Sequence, residues 1–298
     1  MAYPEKWRET CDPFALAYHE FRPTEVLGYP HAGNDVFRMR GEWEGREVTA
    51  YVKVARQESA NLANEVNILS QLDAPIFPRV LDCGREGFRF SVTEERPGER
   101  LSMIVGDNED GAALSCMEEY GEALARLHAQ TLKAGPRAER RFHHRPTRET
   151  LEELKLTFLD EFFADSPKNG ETAFCHGDFH YANVLWKEHH ISAILDFELA
   201  GYGNRDFDIA WALFLRPGQK FLRTEEEVER FLAGYRKAGS CDESAVRYYM
   251  AQCYVHFLTF CGNDAEYSEY VRRWLKSFAH ERRSGCTKNF PEMGAAHK

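Results

Sequence analysis

Along the first third of the chain apolar and polar positions alternate; beyond it they recur with helical spacing. Residues 24–27 and 36–39 have strand character and flank the turn Pro30-His31-Ala32-Gly33-Asn34. After a second turn over residues 42–46, Val48, Ala50, Val52 and Val54 alternate with Thr49, Tyr51 and Lys53. That alternation predicts a strand with one buried face. Leu62, Val66, Leu69 and Leu72 then share one face of a helix, and Pro75 and Pro78 end it. Two more short strands are expected near residues 80–81 and 88–93, joined by a turn over residues 84–87.

After Glu94-Glu95-Arg96-Pro97-Gly98 the helical period takes over. Residues 116–132 carry Ala123, Leu124 and Leu127 in register, and residues 148–163 form a second amphipathic stretch. Helices are expected again over 228–237, 244–260 and 266–282, with one short sheet-like region at 173–197. The pattern predicts an α+β chain of two lobes. Residues 1–95 form a small antiparallel sheet with one helix, and residues 96–298 a larger, mainly helical body. A cleft between such lobes is the natural ligand site.

Composition narrows the choices. Hydrophobic residues occupy 43% of 298 positions, enough for a sizeable core in a chain of one or two domains. The densest apolar run, residues 209–215, falls far short of the roughly 20 residues that span a bilayer. No apolar leader opens the chain, so a cytoplasmic protein without a membrane partner is expected. A net charge of −10, spread evenly over both parts, argues against nucleic acid as a partner. Acidity also suits a cationic ligand, but its even spread points first to solubility. Cys11, Cys83, Cys116, Cys175, Cys241, Cys253, Cys261 and Cys286 include no Cys-x-x-Cys pair, so free thiols are expected.

The segment with the most chemistry is His176-Gly177-Asp178-Phe179-His180-Tyr181-Ala182-Asn183, followed by Ile194-Leu195-Asp196-Phe197-Glu198. Asp178 follows a glycine in a polar loop, and Asn183 comes just before the apolar run Val184-Leu185-Trp186. A turn at residues 187–190 reverses the chain, and a second apolar run ends at Asp196. Such a hairpin brings Asn183 and Asp196 side by side with Asp178 at the same mouth. Two neighbouring oxygen ligands suit Mg²⁺, and a carboxylate beside them suits the orientation of a hydroxyl. Together these are what phosphoryl transfer asks of a protein.

These motifs resemble those of the aminoglycoside phosphotransferase and choline kinase superfamily, which shares the bilobal protein-kinase-like fold. The likeness spans about residues 26–213. It implies Asp178 as catalytic base or substrate orienter and Asn183 and Asp196 as magnesium ligands. His176 would brace the loop, and Asp208 matches the family's helix-start aspartate, expected as an N-terminal cap. Glu198 matches a second family acid. Lys53 resembles the lysine that reaches the nucleotide phosphates, and Glu65 the helix glutamate that pairs with it; Glu58 competes but sits close to the strand end. Tyr51, two residues from Lys53 on one strand face, is placed to cover an adenine ring. The stretch 91–98 resembles the interlobe hinge, where the backbone at Glu94 and Arg96 would hold the adenine edge of ATP or GTP. The phosphate loop departs from the Gly-x-Gly-x-x-Gly form, with only Gly28 and Gly33 near the first turn.

Other features have plainer readings. His176 and His180 are four apart, but Gly177 places them in a loop rather than on a helix face. His143-His144 and His189-His190 are expected in solvated turns, and His128 in packing. Tyr248, Tyr249, Tyr254, Phe257 and Phe260 are close to helical spacing and are expected in the core. Glu225-Glu226-Glu227 suits a helix N-terminus. Only eleven residues separate Asp196 from Asp208, and no Ala-Pro-Glu follows, so a small-molecule acceptor is expected rather than a protein. The resemblance implies a hydroxyl of an amino sugar, an antibiotic-like molecule or an amino alcohol, bound by residues 214–278. The alternative is a silent kinase-fold protein that binds nucleotide or metabolite.

Overall fold

The alternating first third closes into a five-stranded antiparallel sheet. Its strands are β1 (Phe21–Gly28), β2 (Asp35–Trp43), β3 (Arg46–Val54), β4 (Val80–Cys83) and β5 (Phe90–Glu94), in the order β1-β2-β3-β5-β4. The computed structural model describes residues 11–30, 33–56, 60–168, 170–261 and 263–284. His31 and Ala32 of the first turn, Glu58 and Cys286 therefore lie outside the described residues. On β3, Ala50, Val52 and Val54 point into a core with Phe37, Met39 and Val92, while Tyr51 and Lys53 stand on the other face. Glu44 and Gly45 both take positive φ, 50° and 73°, the turn geometry that matches strand twist between β2 and β3.

Helix α1 (Leu62–Leu69) is capped by Asn61, whose side chain accepts from the Asn64 amide. It buries Leu62, Ile68 and Leu69, and also Glu65, a carboxylate whose burial demands a partner. Ile68, Leu69 and Phe77 join the larger core of the helical part, so α1 links the sheet to the body.

That body comprises β6 (Glu99–Arg100), α2 (Leu101–Val105), α3 (Leu114–His128), α4 (Arg148–Glu153), α5 (Asp160–Ala164), β7 (Thr172–Cys175), β8 (Val184–Lys187), β9 (His190–Ile194), β10 (Gly201–Asn204), α6 (Arg205–Leu213), α7 (Glu225–Arg236), α8 (Glu243–Cys261) and α9 (Ala265–Ser284). Helices α3 and α7 cross at Gly121 and Gly234, where an added Cβ would overlap the carbonyls of Phe231 and Glu118 respectively. Thr224 and Glu227 form a reciprocal capping box at the start of α7, which accounts for the acidic run there.

Several expectations change. The stretch 148–163 is two short helices, not one. Leu151, Leu154, Leu156, Phe158, Leu159, Phe162 and Phe163 all reach the core. On one helix they would spread over about 200° of arc at 3.6 residues per turn. A break at Lys155, with φ of 57°, lets both sets turn inward. The expected single sheet region is two small sheets, β7–β10 and β6–β8–β9. His143 is not solvated: its side chain is 5% exposed and meets the Phe207 ring edge-on at 4.5 Å. Burial, with Arg137 and Arg140 nearby, pushes its pKa down to about 3. Phe260, expected in the core, is 49% exposed.

Candidate active site

The 183–196 hairpin forms as β8 and β9, with Val184 opposite Ile194. Glu188 and His189 both take positive φ at its tip. At the open end the Leu195 amide donates to the Asn183 carbonyl at 2.8 Å, which sets Asn183 beside Asp196. Asp196 itself has φ of 66°. A left-handed aspartate costs about 1 kcal/mol or more, and surrounding contacts hold it there.

Asp178 sits on a loop tied down from below. His176 is fully buried; its Nε2 donates to the Leu195 carbonyl at 3.0 Å, and its Nδ1 accepts from the Asp178 amide at 3.3 Å. One imidazole thus bridges the Asp178 loop and the end of β9. Gly177 takes φ of 79°, and a Cβ there would lie 2.5 Å from the Leu199 carbonyl oxygen, so a side chain has no room. Asp208 accepts from the amides of His176 (2.9 Å) and Gly177 (3.0 Å), and His128 Nε2 lies 3.2 Å away. The expected helix-cap role for Asp208 is therefore corrected. Asn204 caps α6, accepting from the Phe207 amide at 3.0 Å, because the helix starts one turn earlier than expected. Burial pushes the Asp208 carboxyl up, but the His128 N–H, His128 charge, Arg137 and His176 outweigh it, and it titrates below its ordinary value.

The Asp178 carboxylate accepts from Trp211 Nε1 at 2.8 Å and has Arg140 Nη1 at 3.4 Å and His180 Nε2 at 3.6 Å. Asn183 Nδ2 donates to the Asp178 carbonyl at 3.0 Å and approaches its carboxylate at 3.4 Å. With the amide nitrogen so engaged, the Asn183 oxygen is left as an acceptor. Burial raises the Asp178 pKa, yet His180, Arg140 and Arg216 together bring it well below the usual carboxylate range. Such a group orients a hydroxyl well and is a weak base until the proton becomes acidic.

Lys53 answers the burial of Glu65. Its Nζ lies 2.7 Å from Glu65, 3.0 Å from Asp196 and 3.0 Å from Glu198. Burial disfavours the ammonium, but the three carboxylates outweigh burial and raise its pKa, so Lys53 stays charged. Burial raises the Glu65 carboxyl against the pull of Lys53. Glu198 is also held by Asn34 Nδ2 at 2.7 Å, so the first turn of the sheet touches the second acid of the hairpin.

On the sheet face expected to receive the nucleotide, Tyr51 is half-buried, with its hydroxyl 3.4 Å from Glu95, which pairs with Arg38 at 2.6 Å. The Glu94 amide donates to the Arg79 carbonyl at 2.8 Å. The Arg96 side chain turns away to the Pro75 carbonyl and lies 3.6 Å from Glu94. Four contributors escaped sequence reading. Arg140 lies in an irregular segment without period, and Arg216 follows α6 with no motif. Trp211 is three residues after Asp208, one helical turn along the same face, and that spacing was a usable signal. Asn64 donates to the carbonyls of Phe197, Glu198 and Ala200, a placement that only the fold reveals.

Residues 29–249 match the phosphotransferase enzyme family (APH), well over half of the chain. No curated protein matches the chain by sequence. Among solved structures, the amicoumacin kinase hAmiN, in complex with AMP-PNP, Ca2+ and Ami, superposes with a TM-score of 0.60 at 16% identity. The match covers 93% of this chain and 96% of that one. The macrolide 2'-phosphotransferase MphH from Brachybacterium faecium gives 0.53 at 17% identity, covering 90% and 97%. A choline/ethanolamine kinase family protein from Mesorhizobium loti gives 0.54 at 15% identity, covering 90% and 88%. Identities this low speak for a shared protein-kinase-like fold. With the family match running through both the Lys53 strand and the Asp178 loop, the chain belongs to the phosphotransferase enzyme family.

Proposed function

We propose that the chain transfers the γ-phosphoryl group of magnesium-bound ATP (or GTP) to a hydroxyl of a small molecule. The observation that carries this reading is the linkage of Lys53, Asp196, Asn183 and Asp178 at one end of the β8–β9 hairpin. In this reading residues 1–95 hold the nucleotide, with Tyr51 over the base, the Glu94 and Arg96 backbone at its edge and Lys53, steadied by Glu65, on the phosphates. Residues 96–298 supply the catalytic loop and the acceptor site.

The donor set suits the metal. Asp196 and Glu198 place oxygens within 4.8 Å of each other, with Asn183 beside Asp196 at the end of the hairpin, and oxygen ligands of this kind suit magnesium better than softer ions do. We assign Asn183 and Asp196 as its ligands; Mg²⁺ bound there would neutralise charge on the phosphates. Asp178 orients the acceptor hydroxyl. The hydroxyl oxygen bonds to the γ-phosphorus as the bond to the bridging oxygen breaks, and the nucleoside diphosphate leaves. The hydroxyl proton passes to Asp178 late, as its depressed pKa requires, and then to solvent. A silent binder is the second reading, and the intact set of Lys53, Asp178, Asn183 and Asp196 disfavours it.

The test is an ATP-consumption screen over amino sugars, macrolides, amino alcohols and sugar metabolites, with Asp178→Asn beside the wild type. The variant is expected to lose phosphorylation by about 10²–10⁴-fold while keeping nucleotide affinity. Unchanged phosphorylation refutes the role of Asp178, and activity on no acceptor favours the silent reading.

A further inference from the structure

An unbroken run of rings leads from the proposed catalytic carboxylate to the surface. Trp211 Nε1 touches Asp178, Phe142 packs against Trp211 at 5.1 Å, and Phe257 lies 5.5 Å from Phe142. Phe260 ends the run, 4.7 Å from Phe257 and half exposed. Aromatic rings beside a reacting centre often receive a cationic ligand on their faces. Here the protein's own guanidiniums hold those faces. Arg140 lies 4.2 Å from the Trp211 ring centre and Arg216 5.0 Å from it. Arg141 lies 5.1 Å from the Phe142 centre and 4.7 Å from that of Phe260.

Charge points the same way. Among the described residues, Asp178 is the only carboxylate within ion-pair distance of these three arginines, through Arg140. Glu139, the nearest acid in the chain, turns to His144 at 3.3 Å. A cationic acceptor would meet guanidiniums where it needs carboxylates. Arg141 is exposed and stands over the outermost ring, where a guanidinium favours an anionic group.

We propose that the ledge of Phe142, Phe257 and Phe260, overlaid by Arg140 and Arg141, is the acceptor subsite, and that it selects an acceptor with an apolar or aromatic body and an anionic group rather than an amine. This inference rests on the kinase reading for the place of the acceptor. It departs from the amino sugar and amino alcohol expected from the resemblance.

Two primary alcohols differing only in charge test it: 4-(hydroxymethyl)benzoate and 4-(hydroxymethyl)benzylamine. Their affinities are measured by ligand-observed NMR on the full chain with AMP-PNP and magnesium. The benzoate is expected to bind at least tenfold tighter. Arg141→Glu, an exposed change checked for folding by its melting temperature, is expected to cut that ratio at least tenfold. Phe260→Ala is expected to weaken both ligands alike. Equal affinities, tighter binding of the amine, no measurable binding of either, or a ratio indifferent to Arg141→Glu overturns the proposal. Phosphorus NMR of the same samples with ATP separates the two readings. Benzoate bound but never phosphorylated leaves the subsite standing and counts against the kinase. Phosphorylation of the benzylamine, with no benzoate bound, overturns the subsite and leaves the kinase intact.

Discussion

Replacing Asp208 by asparagine keeps the shape of a fully buried side chain and removes its charge. Three donors converge on the two oxygens: the His176 amide and His128 Nε2 on one, the Gly177 amide on the other. A carboxylate accepts from all three, whereas an asparagine presents one oxygen and one NH₂. With its oxygen toward His176, the NH₂ faces the Gly177 N–H, and that buried donor loses its acceptor at about 1–3 kcal/mol. The two surviving bonds lose their charge assistance, about 1 kcal/mol each. Relief of the buried charge returns part of this. The net expectation is a loss of about 2–4 kcal/mol, a large share of the about 5–15 kcal/mol that holds a typical protein folded. Urea unfolding at pH 7, followed by tryptophan fluorescence, measures it as a drop in midpoint with unchanged slope. Because the folded Asp208 titrates below 3.8, its contribution is complete above that value and fades as pH falls through its depressed pKa. The gap between wild type and variant should therefore be constant from pH 5 to 7 and narrow below about pH 4. A difference under about 0.5 kcal/mol at pH 7, within the usual scatter of surface changes, would show that Asp208 does not hold the loop as described.

Three further outcomes are expected. Trp211→Phe keeps a buried ring but removes the 2.8 Å donor to Asp178, so kcat should fall about 10–100-fold, as a charged hydrogen bond of about 1.5–3 kcal/mol implies; an unchanged kcat would detach Trp211 from the reaction. Asp196→Ala should abolish the magnesium dependence of nucleotide affinity in calorimetric titration, and a persistent metal effect would place the ion elsewhere. Gly121→Ala inserts a methyl at the α3–α7 crossing and should cost about 1–3 kcal/mol in thermal or urea unfolding; a neutral result would mean the helices part freely.

Local spacing made much of this protein legible. Alternation along residues 48–54 marks both the buried face of β3 and the opposite face that carries Tyr51 and Lys53. Two apolar runs separated by a short turn at residues 187–190 specify a hairpin, and a hairpin sets Asn183 beside Asp196 whatever surrounds it. The Lys53–Glu65 contact was readable because one residue lies on a strand and the other on the helix that follows it. Contacts that depend on the path of the chain were not readable. Asp208 lies at a plausible helix start in sequence, yet its partners, His176 and His128, come from a distant loop and another helix. Arg140 reaches Asp178 from a stretch with no regular period to mark it. The break at Lys155 needs knowledge of which core positions await those seven apolar side chains. The exposure of Phe260 depends on where α8 outruns the body it packs against.

Lys53, enclosed by Glu65, Asp196 and Glu198, gives the cleft a cation of its own. The ammonium is a resident counterion that offsets part of the charge of the three carboxylates. Under the proposed function, a divalent ion held by Asp196 would take the place of the lysine at that oxygen, and the ammonium would be free to pair with the nucleotide phosphates. In that exchange the charge of the lysine would pass from carboxylate to phosphate within the cleft. Nucleotide affinity should then depend on ionic strength less steeply than the formal charge of a nucleoside triphosphate suggests.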